Sequence, residues 1–157
     1  MNMKYWEDFP VGWTLEFGNY EVTEEEVIEY ATAFDPQPFH IDKEAAKEHY
    51  FGGIIASGWH TGAMCMRMMV DGYIHDSASM GSPGVDQLRW KKPVRPGEIL
   101  HVKAEVLDRS LSKSRPELGF VKLSHTVFNQ DDEVKLTMIS SGMFFRDPAR
   151  KKGEADQ

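Results

Sequence analysis

Apolar residues recur along this chain with two different periods, and the change of period divides it into a helical part and a strand part. Residues 13–22 read as a first strand. Thr23 and Glu26 then form a capping box, and Val27, Tyr30, Ala31 and Phe34 return at helical spacing, which predicts an amphipathic helix over residues 23–34. Asp42 is placed to cap a second, short helix over residues 43–47, and Gly52-Gly53 break it. From Ser57 to Val70 the one full charge is Arg67, so this stretch is predicted to be a buried helix that ends at Asp71-Gly72. Residues 74–84 read as a loop rich in small side chains.

Beyond residue 84 the period becomes that of strands. Residues 85–91, 99–108, 119–129 and 134–145 are the candidates, joined by a turn at 93–98, a polar connector at 110–117 and a hairpin turn at 130–133. Leu100, Val102, Ala104 and Val106 fall on one face. One buried helix followed by an antiparallel meander predicts an α+β fold, with the sheet wrapped around a long central helix. This is the hot-dog arrangement. A single domain is expected over residues 1–147, and residues 148–157 form a polar tail expected to be disordered.

Composition narrows the function. The formal net charge of −7 argues against a nucleic-acid binder but leaves room for an anionic small ligand at a local basic patch. Cys65 is the one cysteine, which excludes an intrachain disulfide and a cysteine zinc cluster; within Ala63-Met64-Cys65-Met66 it is expected to be buried. The first ten residues have no apolar signal core and no stretch has the length of a membrane-spanning helix, so a cytoplasmic protein is expected.

The chemistry concentrates at Asp35-Pro36-Gln37-Pro38-Phe39-His40. Two prolines fix φ, remove two backbone donors and push Asp35 and Gln37 toward extended geometry. The segment is therefore expected to be a stiff non-helical kink that holds a carboxylate and an imidazole at fixed separation. Such a pair suits proton transfer to and from water. An exposed turn would have the same composition.

This segment is similar to the hydratase motif Asp-x-Asn-Pro-x-His of the MaoC-like dehydratases, the hot-dog (R)-specific enoyl-CoA hydratases. Two further stretches carry the resemblance: Ile55-Ala56-Ser57-Gly58-Trp59-His60-Thr61 at the start of the buried helix, and Leu88 to Gly97 with its strand and turn. By their order and spacing the resemblance covers most of the chain, about residues 6–145. Gln37 departs from the motif, where an Asn is usual.

The resemblance implies reversible addition of water to a trans-2-enoyl-CoA, with no metal and no cofactor beyond the coenzyme A of the substrate. Asp35 and His40 would share one water. The Gly58 N–H would receive the charge that develops on the thioester oxygen, unless Gly58 serves only close packing. Ser57 is either the N-cap of the buried helix or an aid in orienting the thioester. His60 reads as a packing or hydrogen-bonding residue. Met64, Met66, Met68 and Met69 serve the core or in part line an acyl tunnel. Arg89, Lys91, Lys92 and Arg95 form either a solvated basic face or a seat for coenzyme A phosphates. A homodimer, or an assembly of dimers, is also implied. Two alternatives stay open: an acyl-CoA thioesterase on the same fold, and a non-catalytic acyl-CoA-binding protein.

Overall fold

The computed structural model describes residues 2–150. Within them six strands build one antiparallel sheet: β1 Thr14–Glu21, β2 Ser79–Gly81, β3 Val85–Trp90, β4 Ile99–Leu111, β5 Leu118–Phe128 and β6 Val134–Phe145. The order is β1-β4-β5-β6-β2, and β3 also pairs with β6. The helices are α1 Glu24–Phe34, α2 Pro38–Ile41, α3 Lys43–Glu48 and α4 Gly58–Met69. The architecture is the expected α+β hot-dog, and α4 is its central helix.

Met64, Cys65, Met68 and Met69 are buried on α4. They share one core with Leu100, Val102, Val121, Leu123, Val127 and Leu136 of the sheet. Burying a side chain of this size contributes about 1.5–3 kcal/mol, so the helix draws the sheet around itself. The strand pattern holds on β4, where Leu100, Val102, Ala104 and Val106 all face inward. The approach is close at Gly18. Its φ of +94° opens a bulge in β1, and a Cβ there would lie 2.5 Å from the Met68 sulfur.

Three boundaries depart from the sequence reading. Asp71-Gly72 does not stop the central helix. A π-helical turn over Val70–Ile74 carries it on, closed by His75 N–H to the Val70 carbonyl at 3.0 Å. Gly72 answers a packing need there, because a Cβ would strike the Phe17 ring at 2.6 Å. The turn sends Tyr73 into the core, where its hydroxyl meets His125 Nε2 at 2.8 Å. The 74–84 loop contains a short strand, β2, that pairs with Met143 and Phe144. β4 runs on to Leu111, because a register shift after Val106 lets pairing with β5 resume at Asp108. At the C-terminal end, Asp147 and Arg150 are tied to one another at 2.8 Å, and Arg150 to Asp8 at 2.9 Å. The rest of the expected tail lies outside the described residues.

A buried polar network joins the sheet to the site. Lys135 Nζ donates to Glu98 Oε2 at 2.8 Å and to the Pro93 carbonyl at 3.1 Å. Glu98 also accepts from Asn129 Nδ2 at 2.7 Å and from the Arg95 N–H at 2.5 Å. The turn at 93–98 is thereby fixed, and its Val94 carbonyl takes the Ala56 N–H at 2.8 Å, just before α4 begins. Replacing Lys135 with Met is expected to lower the unfolding free energy by about 3 kcal/mol, since it strands a buried carboxylate. A urea midpoint within error of wild type would contradict this.

Candidate active site

The site forms where three chain ends meet: the C-terminus of α1, the turn α2 and the start of α4. Asp35 is the C-cap of α1, with its N–H still bonded to the Ala31 carbonyl at 2.8 Å. Pro36 cannot continue the helix. Gln37 is extended, at φ −74° and ψ 143°, as expected before a proline. The segment is not non-helical throughout, however. Pro38–Ile41 make one helical turn with Pro38 at its first position, where the missing N–H has no intrahelical partner to lose. His40 falls in this turn and is 4% exposed.

The geometry fixes the protonation pattern. His40 Nδ1 lies 2.7 Å from the Ile55 carbonyl. A carbonyl only accepts, so Nδ1 carries the proton. Nε2 then faces Asp35 Oδ2 at 3.3 Å. In the neutral imidazole both of those atoms are acceptors. A proton donor is needed between or beside them, either a proton shared as an imidazolium–carboxylate pair or a water that donates to both.

Asp35 is held from two other directions. Ser57 Oγ donates to Oδ2 at 2.7 Å, and Gln37 Nε2 donates to Oδ1 at 2.7 Å. Burial pushes the Asp35 carboxyl up, but these two bonds and the neighbouring His40 outweigh it and hold its pKa below the ordinary value. The longer amide at position 37 thus reaches back onto the carboxylate. Ser57 sits at the N-cap position of α4 without making the capping bond. Its fully buried hydroxyl is directed to Asp35 instead.

Gly58 is the first residue of α4, so its N–H has no intrahelical acceptor. Its lack of a side chain is also a packing need, because a Cβ would lie 2.5 Å from the Trp90 ring. Trp90 Nε1 donates to the Gly58 carbonyl at 2.8 Å and fixes the indole across the helix start. A cleft of about 540 Å³ opens here, lined by Asp35, His40, Phe39, Gly58, Trp90 and Lys92 among others.

The remaining candidates divide between the cleft and other parts of the fold. Arg95 bonds the Phe51 carbonyl at 2.8 Å and Lys92 pairs with Glu133 at 2.7 Å, while Lys91 and Lys92 line the cleft. Met64, Met68 and Met69 are buried and Met66 is exposed. Met66 and Met69 border a separate cavity of about 380 Å³ with Tyr73 and His125. Burial pushes the Cys65 thiol up to about 12, which leaves it unreactive at neutral pH. His60 contacts α1, not the cleft; its Nε2 lies 3.3 Å from Glu26 Oε1.

Residues 9–128 match the MaoC like domain family. The chain belongs to the MaoC-like dehydratase family. It is 32% identical to the uncharacterized protein YdeM of Bacillus subtilis over 131 residues, 83% of this chain and 90% of that one. It is 28% identical to a 3-hydroxybutyryl-CoA dehydratase of Methylorubrum extorquens over 124 residues, 76% of this chain and 74% of that one. Among solved structures, a MaoC-like dehydratase from Rhodospirillum rubrum superposes with a TM-score of 0.84 at 38% identity, covering 92% of this chain and 98% of that one. A MaoC-like dehydratase fold with one acidic and one imidazole group at the mouth of its central helix is therefore the frame for the chemistry.

Three contributors escaped the sequence reading. The Ile55 carbonyl sets the His40 tautomer, and a backbone atom has no sequence signature. Trp90 reaches Gly58 across 32 residues. Gln37 drew notice only as a departure from the motif, although an amide two residues from a carboxylate is within reach of it.

Replacing Ser57 with Ala removes one of the two side-chain donors to Asp35. The Asp35 pKa is expected to rise toward the ordinary carboxylate value. A carboxyl depressed in the folded state adds stability that is present above its unfolded pKa and is lost as pH falls through the folded one. The variant should therefore lose that stability at a higher pH than wild type. Carbon-13 titration of the Asp35 carboxyl checks this, and an unmoved midpoint would rule the bond out.

Proposed function

We propose that this MaoC-like protein is an enoyl-CoA hydratase, which adds water reversibly to a trans-2-enoyl-CoA to give a 3-hydroxyacyl-CoA of R configuration. The single observation that carries this reading is the facing of His40 Nε2 and Asp35 Oδ2 at 3.3 Å with Nδ1 already engaged. Two acceptors so placed hold a water by both of its hydrogens. The name of the Methylorubrum extorquens relative supports the same reaction class.

The steps follow from the geometry. The water oxygen forms a bond to Cβ as one of its protons passes to His40 Nε2. The π electrons of the Cα–Cβ bond move onto the thioester oxygen, where the Gly58 N–H and the positive end of α4 stabilise the enolate. Asp35 steadies the imidazolium. The enolate then collapses, and Cα takes the proton from Nε2 on the face the water came from. One water is added, the addition is syn, and His40 returns to neutral. Ser57 and Gln37 hold Asp35 as an anion throughout. Coenzyme A enters as part of the substrate, and Lys91 and Lys92 at the rim offer charge to its phosphates.

We further assign a homodimer. Among the described residues β3 pairs only with β6, so its other edge is open, and an open edge strand calls for a partner. Sedimentation equilibrium is expected to give twice the chain mass, and a monomer at micromolar concentration would refute the assignment.

On mixing with crotonyl-CoA and longer trans-2-enoyl-CoAs, the enoyl-thioester absorbance should fall without release of thiol. An R-specific dehydrogenase should then oxidise the product. Asp35→Asn and His40→Ala are each expected to lower kcat by at least about 10²-fold. Activity within twofold of wild type in both would refute the mechanism, and thiol release would assign a thioesterase instead.

A further inference from the structure

Between α1 and α4, on the side away from the cleft, lies an open groove of about 480 Å³. Its walls include Tyr20, Glu26, Tyr30, Phe34, His60 and Arg67. Phe34, the last residue of α1, is 75% exposed. Phe34 therefore does not press α1 against α4 on this side, where α1 is held by Tyr30 stacked on His60 and by polar ties.

Glu26 Oε1 accepts a short hydrogen bond from the Tyr20 hydroxyl and faces His60 Nε2 at 3.3 Å. Thr23 still caps α1 by accepting from the Glu26 N–H at 3.2 Å. The Glu26 carboxylate, which a capping box would turn back onto Thr23, points to β1 and α4. Tyr30 lies flat on the His60 ring, with centroids 4.5 Å apart and planes 7° from parallel. His60 is 2% exposed, and its Nδ1 is buried with no partner among the described residues. Burial lowers the His60 pKa more than Glu26 raises it, so the ring is a neutral Nε2–H donor. Burial, then the bond to Glu26, pushes Tyr20 up to about 12, and it donates as a phenol.

A phenyl ring would stack on Tyr30 equally well but would offer Glu26 no donor. What the imidazole adds to the packing is its bond to Glu26.

We propose that Tyr20, Glu26 and His60 form a clamp that sets the angle of α1 on α4 and thereby positions the Asp35 carboxylate. Glu26 precedes Asp35 by nine residues, about 13 Å along α1. His60 follows Ser57 by three, about 4.5 Å along α4. The clamp thus holds the far end of a lever whose near end is the Asp35–Ser57 bond. Swinging α1 about the crossing would move the Asp35 carboxylate away from His40 Nε2, and a displacement of this order is what catalysis tolerates least. Tyr20, Glu26 and His60 are positioning residues. They touch neither the substrate cleft nor its water.

This inference rests on the hydratase reading for its kinetic consequence, but not for its structural one. His60→Phe keeps the stack on Tyr30 and is expected to fold with a Tm near that of wild type, to lower kcat by roughly tenfold or more, and to leave KM within about twofold. Glu26→Ala should behave likewise in kcat. Glu26→Gln keeps a carbonyl acceptor for both donors and should restore most of the activity. Independently of turnover, the carbon-13 titration midpoint of Asp35 should move upward in His60→Phe as its bonds loosen. A kcat within twofold of wild type in both His60→Phe and Glu26→Ala, or an unmoved Asp35 midpoint, overturns the clamp and leaves the hydratase reading intact. If wild type hydrates no enoyl-CoA, that reading falls alone and the Asp35 midpoint decides the clamp.

Discussion

The structure depends on removing one apolar helix from water. α4 carries Met64, Cys65, Met68 and Met69 into the core, and among the described residues α1, α2 and α3 bury only Val27, Ala31, His40 and Ala46. A buried helix has a difficulty at its start, where the first N–H groups have no intrahelical acceptors. The sheet covers the sides of α4 with carbon and offers little to that end. Polar groups gather at that end from the segments that lead into it, and Ser57 and Asp35 meet there at 2.7 Å.

From this need the candidate site follows. The positive end of α4 is a favourable place for a carboxylate, and Asp35 occupies it through the Ser57 hydroxyl at 2.7 Å. Pro36 and Pro38 turn the chain so that His40 returns to the same point. The Ile55 carbonyl, on the approach to α4, then selects the proton position on His40. Stability and chemistry share these atoms. The carboxylate that takes the Ser57 hydroxyl at the start of α4 is also one half of the proposed proton-transfer pair. The glycine that admits the Trp90 ring also lines the cleft. The tie between Lys135 and Glu98 reaches the same place from the sheet side, through the Val94 carbonyl.

Much of this was legible in the residue order. The alternation in residues 99–108 placed Leu100, Val102, Ala104 and Val106 inside, because strand geometry leaves no other option for that pattern. Asp42 caps α3 as expected, accepting from the N–H groups of Glu44 and Ala45. The motif from Asp35 to His40 named two residues that the structure brings within 3.3 Å. The errors arose where one residue type serves two ends. Gly72 reads as a stop signal but is glycine because of Phe17. Ser57 reads as a cap, yet its hydroxyl is drawn away by a carboxylate 22 residues earlier. Pro38 reads as a helix breaker but opens a helical turn.

The sequence by itself determined the periods of the helices and strands, the apolar character of α4 and the presence of an acid and a base in one stiffened segment. Those properties are local, set by neighbouring φ and ψ angles and by side-chain spacing. The tertiary structure alone decided which nitrogen of His40 carries the proton, which donors hold Asp35 as an anion, and that Glu26 leaves its capping role for Tyr20 and His60. Each of these is a contact between residues distant along the chain or a choice among several available partners. Such choices are made by burial, which removes water as the competing partner and leaves each polar atom only the neighbours that packing provides.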